Sequence, residues 1–315
     1  MLNKKNEQIH GITSCTTYEN GNIKECKVNQ PNIIQTNYGN LTPHFSRPDE
    51  RKKDMKALSF YENGSIKSIA LEERQKIETS IGTLTAEMIT FHESGVIDSL
   101  FPTNGQIGFG WSLDDEAKIT EKYDFQFPFG EFSARIIGLR FYESGQLSSL
   151  ILWPGEIVKI ETPVGTIPVR IGFKLYENGA LQSVEPAHPI ILETPIGAVT
   201  AFDYTALGMD ADFNSITFDE HGNLSTLMTN SDFVIKNINN GQRETVFQQL
   251  RLDMLSDNYL KVPTAVHFKG DQVTFNSSDN NATFTTNENK FLILYDGNYL
   301  DGACSPSDCS ECVGC

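Results

Sequence analysis

A ten-residue phrase occurs in six versions along this chain of 315 residues, and it constrains the fold more than any other feature. Each version has an aromatic or apolar start, then Glu-x-Gly, then alternating polar and apolar residues. Alternation on both sides of a glycine-containing turn predicts a β-hairpin, and an internal repeat predicts a series of similar stacked units. The versions begin at Thr17, Phe60, Phe91, Phe141, Leu175 and Phe218.

The residue before the glycine indicates the type of turn. It is Asn, Ser or His in different copies, whereas the glycine is present in all six. A two-residue type I′ turn would need a positive φ at both positions, which Ser and His resist. A three-residue loop needs a positive φ only at its glycine. We therefore predict a Glu62-Asn63-Gly64 loop in which Tyr61 faces Ser65 and Phe60 faces Ile66.

A second kind of turn alternates with the first. Two copies have the form Thr-Pro-x-Gly and three are looser; together they occupy residues 36–39, 79–82, 127–130, 162–165 and 194–197. Proline presets φ for the first turn position, and glycine supplies the left-handed position after it. Eleven alternating turns predict an all-β fold, an antiparallel meander of about twelve strands in an elongated or curled sheet. Pro154, Pro186 and Pro189 are expected to bend or split strands, because proline donates no ladder hydrogen bond.

The repeats predict a division of the chain into three parts. Residues 1–229 form a β-hairpin repeat domain, residues 230–300 a β-rich C-terminal cap, and residues 301–315 a Cys-rich tail with too little apolar bulk to pack a core. Within the first part, the charged insertion Arg47–Asp54 is expected to be a solvated loop. A second insertion, around Asp203–Asn214, holds the equivalent place near the other end of the array, as terminal repeats are often atypical.

In the C-terminal cap, the segment Thr245–Leu255 fits a strand or a short helix. Three later segments are predicted to be strands, and Asn- and Ser-rich turns separate them. They are Ala265–Phe268, Gln272–Phe275 and Lys290–Tyr295.

Composition and charge limit the possible partners. The net charge of −16 argues against nucleic acid and anionic membranes, because both attract positively charged proteins. No apolar run approaches the length needed to span a membrane, and the start Met1–Glu7 lacks the apolar segment of a signal peptide. These features predict a cytoplasmic protein, in which clustered cysteines point to metal or redox chemistry before structural disulfides.

Four of the six cysteines lie in the tail, at Cys304, Cys309, Cys312 and Cys315. Their C-x4-C-x2-C-x2-C spacing matches parts of known iron–sulfur patterns, and four thiolates also suit a tetrahedral zinc site. We predict that the four thiolates bind a metal ion or an iron–sulfur cluster, with the choice between iron–sulfur and Zn open. Two alternatives stay open: a flexible arm whose thiols are modified or exchanged, and an unstructured tail without metal.

Cys15 and Cys26 flank the first Glu-x-Gly turn. The predicted register places Cys15 opposite Glu25, so the two cysteines would point to opposite faces of the hairpin, where no disulfide can form. Other copies have apolar residues at both positions, which predicts that the two cysteines are small core residues.

The six Glu-x-Gly glutamates are expected to be solvated turn residues along one sheet edge. Because successive hairpins are separated by two strand spacings, roughly 10 Å, neighbouring carboxylates are too far apart to share a cation. A docking edge for a basic partner is the alternative. They are Glu19, Glu62, Glu93, Glu143, Glu177 and Glu220.

The phrase at residues 60–68 resembles the variant MORN repeat, whose copies have an aromatic residue followed by Tyr-x-Asn-Gly-x-Leu. The resemblance covers residues 12–229 and implies consecutive β-hairpins in an elongated sheet that serves as an interaction scaffold. This chain departs from that pattern in its second turn, which is Thr-Pro-x-Gly instead of a further Asn-Gly, and in its longer strands.

The sequence thus predicts a non-enzymatic repeat scaffold that presents a C-terminal thiolate cluster and docks to a protein partner. One alternative is a redox protein or enzyme that uses the tail cluster for electron transfer. Another is a substrate protein whose cysteine tail is modified by a partner enzyme. No nucleophile elbow, P-loop or dinucleotide fingerprint is present, which favours a non-enzymatic role, although an active site assembled from distant loops would leave no such motif.

Overall fold

A computed structural model describes residues 9–206, 214–252, 259–276 and 281–294. The described chain forms two compact units, one up to Glu185 and one from Pro186 onward. It is almost entirely β-structure, with a single short helix among the described residues. The predicted all-β class is confirmed, whereas the predicted boundaries at residues 229 and 300 stay predictions.

The elements of the first unit follow one another along the chain as alternating turns require. They are β1 (Ile12–Thr17), β2 (Ile23–Val28), β3 (Ile34–Thr36), β4 (Gly39–Leu41), β5 (Leu58–Phe60), β6 (Ile66–Thr79), β7 (Gly82–Phe91), β8 (Ile97–Phe101), α1 (Leu113–Ile119), β9 (Lys122–Phe127), β10 (Gly130–Phe141), β11 (Leu147–Leu152), β12 (Val158–Thr162), β13 (Gly165–Leu175) and β14 (Leu181–Pro186).

The first unit is built on an open antiparallel sheet. Its strands pair in the order β1-β2-β5-β6-β7-β8-β10-β11-β13. Strands β6, β7, β10 and β13 run unbroken from one kind of turn to the other, whereas the strands between them are split. Pro154 lies in the gap between β11 and β12, and Pro186 ends β14, as predicted.

All six Glu-x-Gly hairpins have the predicted three-residue loop. At residues 61–65, the Tyr61 N–H donates to the Ser65 carbonyl at 2.8 Å and the Gly64 N–H donates to the Tyr61 carbonyl at 2.9 Å. The same pair of bonds occurs in every copy, and each loop glycine has a φ between 82° and 85°. Phe60 pairs with Ile66, so the predicted apolar cross-strand pair is confirmed.

A bulge directly after that pair changes the register in the five hairpins whose strand pairing the structure describes. In the first hairpin Thr17 pairs with Ile23 and Thr16 pairs with Glu25, so Lys24 has no partner. Cys15 therefore lies opposite Cys26. The predicted Cys15–Glu25 pairing is wrong because the extra residue returns both cysteines to one face. Cys26 is buried as predicted, but Cys15 is exposed and is no core residue.

The second kind of turn shows why threonine recurs at its first position. The Thr79 hydroxyl donates to the Gly82 carbonyl at 2.7 Å and accepts the Ile81 N–H at 3.3 Å. The turns that begin at Thr36, Thr162 and Thr194 repeat both bonds. Each of these side chains therefore closes its turn by satisfying two backbone groups.

In four of the hairpins, the aromatic residue before the Glu-x-Gly loop links that hairpin to the next one along the chain. Three tyrosine hydroxyls and one histidine ring nitrogen each bond to the carbonyl that ends the first strand of the following hairpin. The pairs are Tyr18 to Phe60 at 2.9 Å, Tyr61 to Phe91 at 2.7 Å, His92 to Phe141 at 2.9 Å and Tyr142 to Leu175 at 2.7 Å. Because the carbonyl accepts, the His92 proton lies on Nε2. These contacts couple neighbouring repeats.

Replacing Tyr61 with phenylalanine is expected to lower the free energy of unfolding by about 1 kcal/mol, since it removes one such inter-repeat hydrogen bond and little packing. Urea denaturation of both proteins measures the difference. The same change at Tyr259, which is 68% exposed, is the control and should have almost no effect. Equal losses at the two positions would contradict a coupling role for Tyr61.

The second unit continues with shorter strands. They are β15 (Ile190–Thr194), β16 (Gly197–Ala201), β17 (Ile216–Phe218), β18 (Leu224–Thr229), β19 (Asp232–Asn237), β20 (Arg243–Val246), β21 (Gln249–Leu252), β22 (Tyr259–Val262), β23 (Thr264–Lys269), β24 (Gln272–Asn276), β25 (Asn281–Thr285) and β26 (Asn289–Leu294).

The three strands predicted in the C-terminal cap correspond to β23, β24 and β26. The segment beginning at Thr245 forms the end of β20 and then β21, so its described part is strand and not helix. Strands β17, β18, β23, β24 and β25 pair in that order, and β19 pairs with both β20 and β26. Most of the insertion expected around Asp203–Asn214 lies outside the described residues.

Candidate interaction surface above a buried charge cluster

An insertion between β8 and β9 forms the most distinctive surface of the first unit. It carries α1 and a loop before it, and neither was predicted from the sequence. The distance from a loop glycine to the next turn of the second kind could have revealed this insertion. It is 15 positions from Gly64 to Thr79 but 32 positions from Gly95 to Phe127. An excess of that size within a regular repeat marks an added structure.

The base of the insertion is a buried ion cluster around Arg51. The guanidinium Nη1 donates to Oε1 of Glu87 at 2.7 Å, and Nη2 contacts Oε2 of the same carboxylate. Lys52 Nζ lies 2.9 Å from Glu87 Oε1, and only 3% of the Glu87 side chain is exposed. These two cations, with Arg74 Nε 3.9 Å from Glu87 Oε2 as a third, neutralise a carboxylate that projects from the long strand β7.

Arg51 also holds the insertion itself. Its Nε and Nη2 donate to the two carboxylate oxygens of Glu116, at 2.8 and 2.7 Å. Glu116 lies on α1 and further accepts the Gly105 N–H at 2.8 Å and the Trp111 indole N–H at 2.7 Å. One guanidinium thus joins two carboxylates from different elements with paired hydrogen bonds, the strongest geometry available to arginine.

These contacts correct the prediction for Arg47–Asp54. Its outer residues, among them Arg47 and Glu50, are exposed as expected for a solvated loop. Arg51 and Lys52, however, have only 14% and 13% of their side chains exposed. The prediction was wrong for these two residues because their carboxylate partners are 36 and 65 positions away from Arg51.

The cluster changes the titration of its carboxylates. Burial alone would raise the pKa of Glu87, but hydrogen bonds from Arg51 and Lys52 and the charges of both outweigh it and lower that pKa to about 2. Burial likewise opposes ionisation of Glu116, while hydrogen bonds from Arg51, Trp111 and the Gly105 N–H lower its pKa below the ordinary value. Both groups are ionised at neutral pH.

Stability is therefore expected to fall in acid. Because the folded pKa of Glu87 is about 2 and its ordinary value is 4.5, its ionised form stabilises the fold fully above that ordinary value and less as pH falls toward 2. The difference between these two pKa values corresponds to about 3 kcal/mol of unfolding free energy. Denaturation at pH 7, 5, 4 and 3 should show this loss in the natural chain. The Glu87→Gln variant should be less stable at pH 7 and should lose less stability below pH 5. If the stability of both proteins falls in parallel with pH, Glu87 is not the group responsible.

The tip of the insertion, residues 107–111, is apolar and open to solvent. Gly108 and Trp111 exchange backbone hydrogen bonds at 2.9 and 3.3 Å, which closes a tight turn around Phe109 and Gly110. Gly110 has a φ of 96°, a conformation that favours glycine. The turn leaves Phe109 fully exposed, and Ile107 is 51% exposed. We call residues 107–111 the Phe109 tip.

The Phe109 tip has the properties of a protein-binding element. Hydrogen bonds hold it at both ends. The Gln106 N–H donates to the Arg51 carbonyl at 2.9 Å, and the Trp111 indole N–H donates to the Glu116 carboxylate at 2.7 Å. Helix α1 follows at once, with Ser112 and Asp115 forming a capping box at its start. An exposed aromatic on a rigid support loses little entropy on binding, which is the character of an interface anchor.

Metal binding by the four tail cysteines stays a prediction. Cys304, Cys309, Cys312 and Cys315 all lie outside the described residues. Within the described ranges no group of three or more His, Cys, Asp or Glu side chains could hold a metal ion. The six turn glutamates are all exposed, as predicted for solvated turn residues. No helix of the described chain is both long and apolar enough to cross a bilayer.

Comparison with known proteins agrees with the repeat architecture. The family model described as the MORN repeat variant matches residues 53–71, which contain β5, the Glu62-Asn63-Gly64 loop and the start of β6. The resemblance predicted from the repeated phrase is thereby confirmed at its second copy. No curated protein and no solved structure shows a significant match to the chain. The fold and the match therefore agree on a β-hairpin repeat architecture.

Proposed function

We propose that this protein is a non-enzymatic scaffold of the cytoplasm that docks to a partner protein and presents a C-terminal thiolate cluster. The observation that carries the proposal is the repeat itself: a MORN-like hairpin recurs with one loop geometry, and side-chain hydrogen bonds couple successive copies. Such an array gives a stable surface on which insertions serve as binding elements.

The docking element in this proposal is the Phe109 tip. Its fully exposed phenylalanine fits an apolar pocket, and the net charge of −16 favours a partner whose pocket has a basic rim. Exposed Asp114 lies beside the tip, on the first turn of α1. The Arg51 cluster supports the proposal because it holds both the tip and α1 in place before any partner arrives.

Docking is tested by substitution at the tip. Phe109→Ala is expected to weaken binding of the partner by about 30-fold, the loss typical of a central aromatic anchor. The fold should be unaffected, since the side chain is fully exposed. Ile33→Ala is the matched control because Ile33 is 69% exposed and lies outside the tip. The partner is identified by crosslinking through a photoreactive residue at position 109, and its affinity is then measured for the three purified proteins. Equal affinities for all three would refute the Phe109 tip as docking element.

The tail supplies the second part of the proposal. Four thiolates in twelve residues, Cys304–Cys315, form a donor set that suits zinc or an iron–sulfur cluster. Those side chains would hold the group, which would supply either a structural cross-link or an electron-carrying centre.

Metal analysis and an absorption spectrum of anaerobically purified protein test this part, beside a variant that ends at Gly302. Iron and sulfide that disappear with the truncation would identify an iron–sulfur carrier, and a reversible spectral change would favour electron transfer. Zinc lost in the same way would identify a structural or docking knuckle. Metal-free protein in both forms would refute metal binding, and mass spectrometry would then detect modification of the tail thiols.

A further inference from the structure

The first hairpin places two thiols opposite each other. Strands β1 and β2 pair with Cys15 directly across from Cys26. At the equivalent rung the other hairpins with described pairing carry two apolar residues. These pairs are Leu58–Ile69, Ile89–Leu100, Leu139–Leu150 and Ile216–Leu227, and all eight residues are buried.

The backbone geometry of the cysteine pair allows a direct bond. The Cys26 carbonyl accepts the Ala57 N–H at 3.0 Å, so the peptide groups of Cys26 point toward β5 and away from β1. Cys15 and Cys26 therefore form a non-hydrogen-bonded pair, in which opposed Cα atoms are about 4.5 Å apart. Disulfides span about 4.4–6.8 Å between Cα atoms, and directly opposed side chains share one face of the sheet.

The two thiols differ in their access to solvent. Cys15 is exposed, as is every residue of β1, whereas Cys26 is only 1% exposed. Burial, together with the neighbouring Cys15, raises the pKa of the Cys26 thiol to about 11. An oxidant in solution can reach Cys15 directly but reaches Cys26 only through Cys15, which sets the order of any reaction.

We infer that Cys15 and Cys26 are a reversible dithiol–disulfide pair that cross-links strand β1 to strand β2. The oxidant class is a small-molecule disulfide such as glutathione disulfide. The Cys15 thiolate attacks one glutathione sulfur, forming a mixed disulfide and releasing one glutathione. Cys26 gives its proton to water, attacks the Cys15 sulfur and releases the second glutathione. Two protein thiols are oxidised while one glutathione disulfide is reduced to two thiols.

The cross-link acts on an edge of the sheet. Among the described strands β1 pairs with β2 alone, so its outer edge carries unpaired backbone groups that can separate from the sheet or accept another chain. A Cys15–Cys26 bond fixes β1 to the rest of the array. Oxidation should therefore slow amide hydrogen exchange in residues 12–17 by about tenfold and leave β10 unchanged.

The test uses the full chain with only Cys15 and Cys26 left to react, the tail being changed by Cys304→Ser, Cys309→Ser, Cys312→Ser and Cys315→Ser. The protein is treated with glutathione disulfide, alkylated and digested with trypsin without reduction. Lys24 lies between the two cysteines, so a disulfide joins peptide 6–24 to peptide 25–27 and is identified by its mass. We expect this linked pair as the main product, and its loss after dithiothreitol.

Two variants check the order of the steps. Cys26→Ala should retain one glutathione on Cys15, because no second thiol can displace it. Cys15→Ser, a change at an exposed position, should leave Cys26 unmodified. A persistent glutathione adduct on Cys15 while Cys26 is present, or two free thiols after treatment, would overturn the inference. Unchanged exchange rates in residues 12–17 after formation of the linked peptides would overturn the proposed effect on β1.

Discussion

Replacing Arg51 with alanine is expected to lower the free energy of unfolding by about 3–5 kcal/mol. The side chain donates two hydrogen bonds to Glu116 and contacts both oxygens of Glu87. Each carboxylate side chain is only 3% exposed. Its removal leaves two buried negative charges, of which Glu87 keeps Lys52 at 2.9 Å and Arg74 at 3.9 Å. Denaturant unfolding at pH 7 measures the loss. An unchanged slope of the transition would confirm that unfolding exposes the same surface in both proteins.

Two further substitutions separate charge from geometry. Arg51→Lys keeps the charge but cannot bond both carboxylates in pairs, so an intermediate loss is expected. Arg47→Ala removes an exposed arginine from the same segment, Arg47–Asp54. It should change the free energy of unfolding by no more than about 0.5 kcal/mol. If Arg51→Ala and Arg47→Ala lower the free energy of unfolding equally, the Arg51 cluster does not hold the insertion between β8 and β9 to the sheet. Arg51→Ala should also weaken partner binding, because the Phe109 tip loses its support.

Replacing Phe173 with alanine is expected to cost about 3–5 kcal/mol of stability. Phe173 lies in β13 and is completely buried. The rings of Phe127, Phe129 and Phe132 meet it edge to face, with centroids 5.3, 5.2 and 6.3 Å away. Strands β9 and β10 and the turn between them supply these rings, so the substitution opens a cavity where two hairpins pack together.

Thermal and urea denaturation of Phe173→Ala measure the effect, with Phe173→Leu as a volume-sparing comparison that should cost clearly less. Ile157→Ala is the surface control, since Ile157 is 60% exposed beside β12, and it should change stability by less than about 0.5 kcal/mol. A loss at Phe173 no larger than that of the control would mean that the aromatic cluster does not stabilise the repeat array.

Local geometry was predictable because it depends on neighbouring residues. The variable residue before each loop glycine excluded a two-residue turn, and the observed φ of Gly64, 84°, fits the three-residue loop. Prolines marked the strand breaks. The alternation of two turn types indicated an antiparallel meander, and the repeated phrase indicated a MORN-like hairpin. The tyrosine contacts were not predicted, although a tyrosine at one position in four copies was a signal for a shared role.

The class of fold, the positions of the turns and the apolar rungs of the hairpins were predictable from the sequence, since these follow from backbone restrictions and a period of two. The folded structure placed Cys15 opposite Cys26, because one bulged residue in the hairpin reverses which face a side chain occupies. It also decided that Arg51 is buried between Glu87 and Glu116, since no spacing along the chain brings these residues together. The support of the Phe109 tip therefore depends on contacts between residues far apart in the sequence, whereas the thiol pair depends on one bulge within a single hairpin.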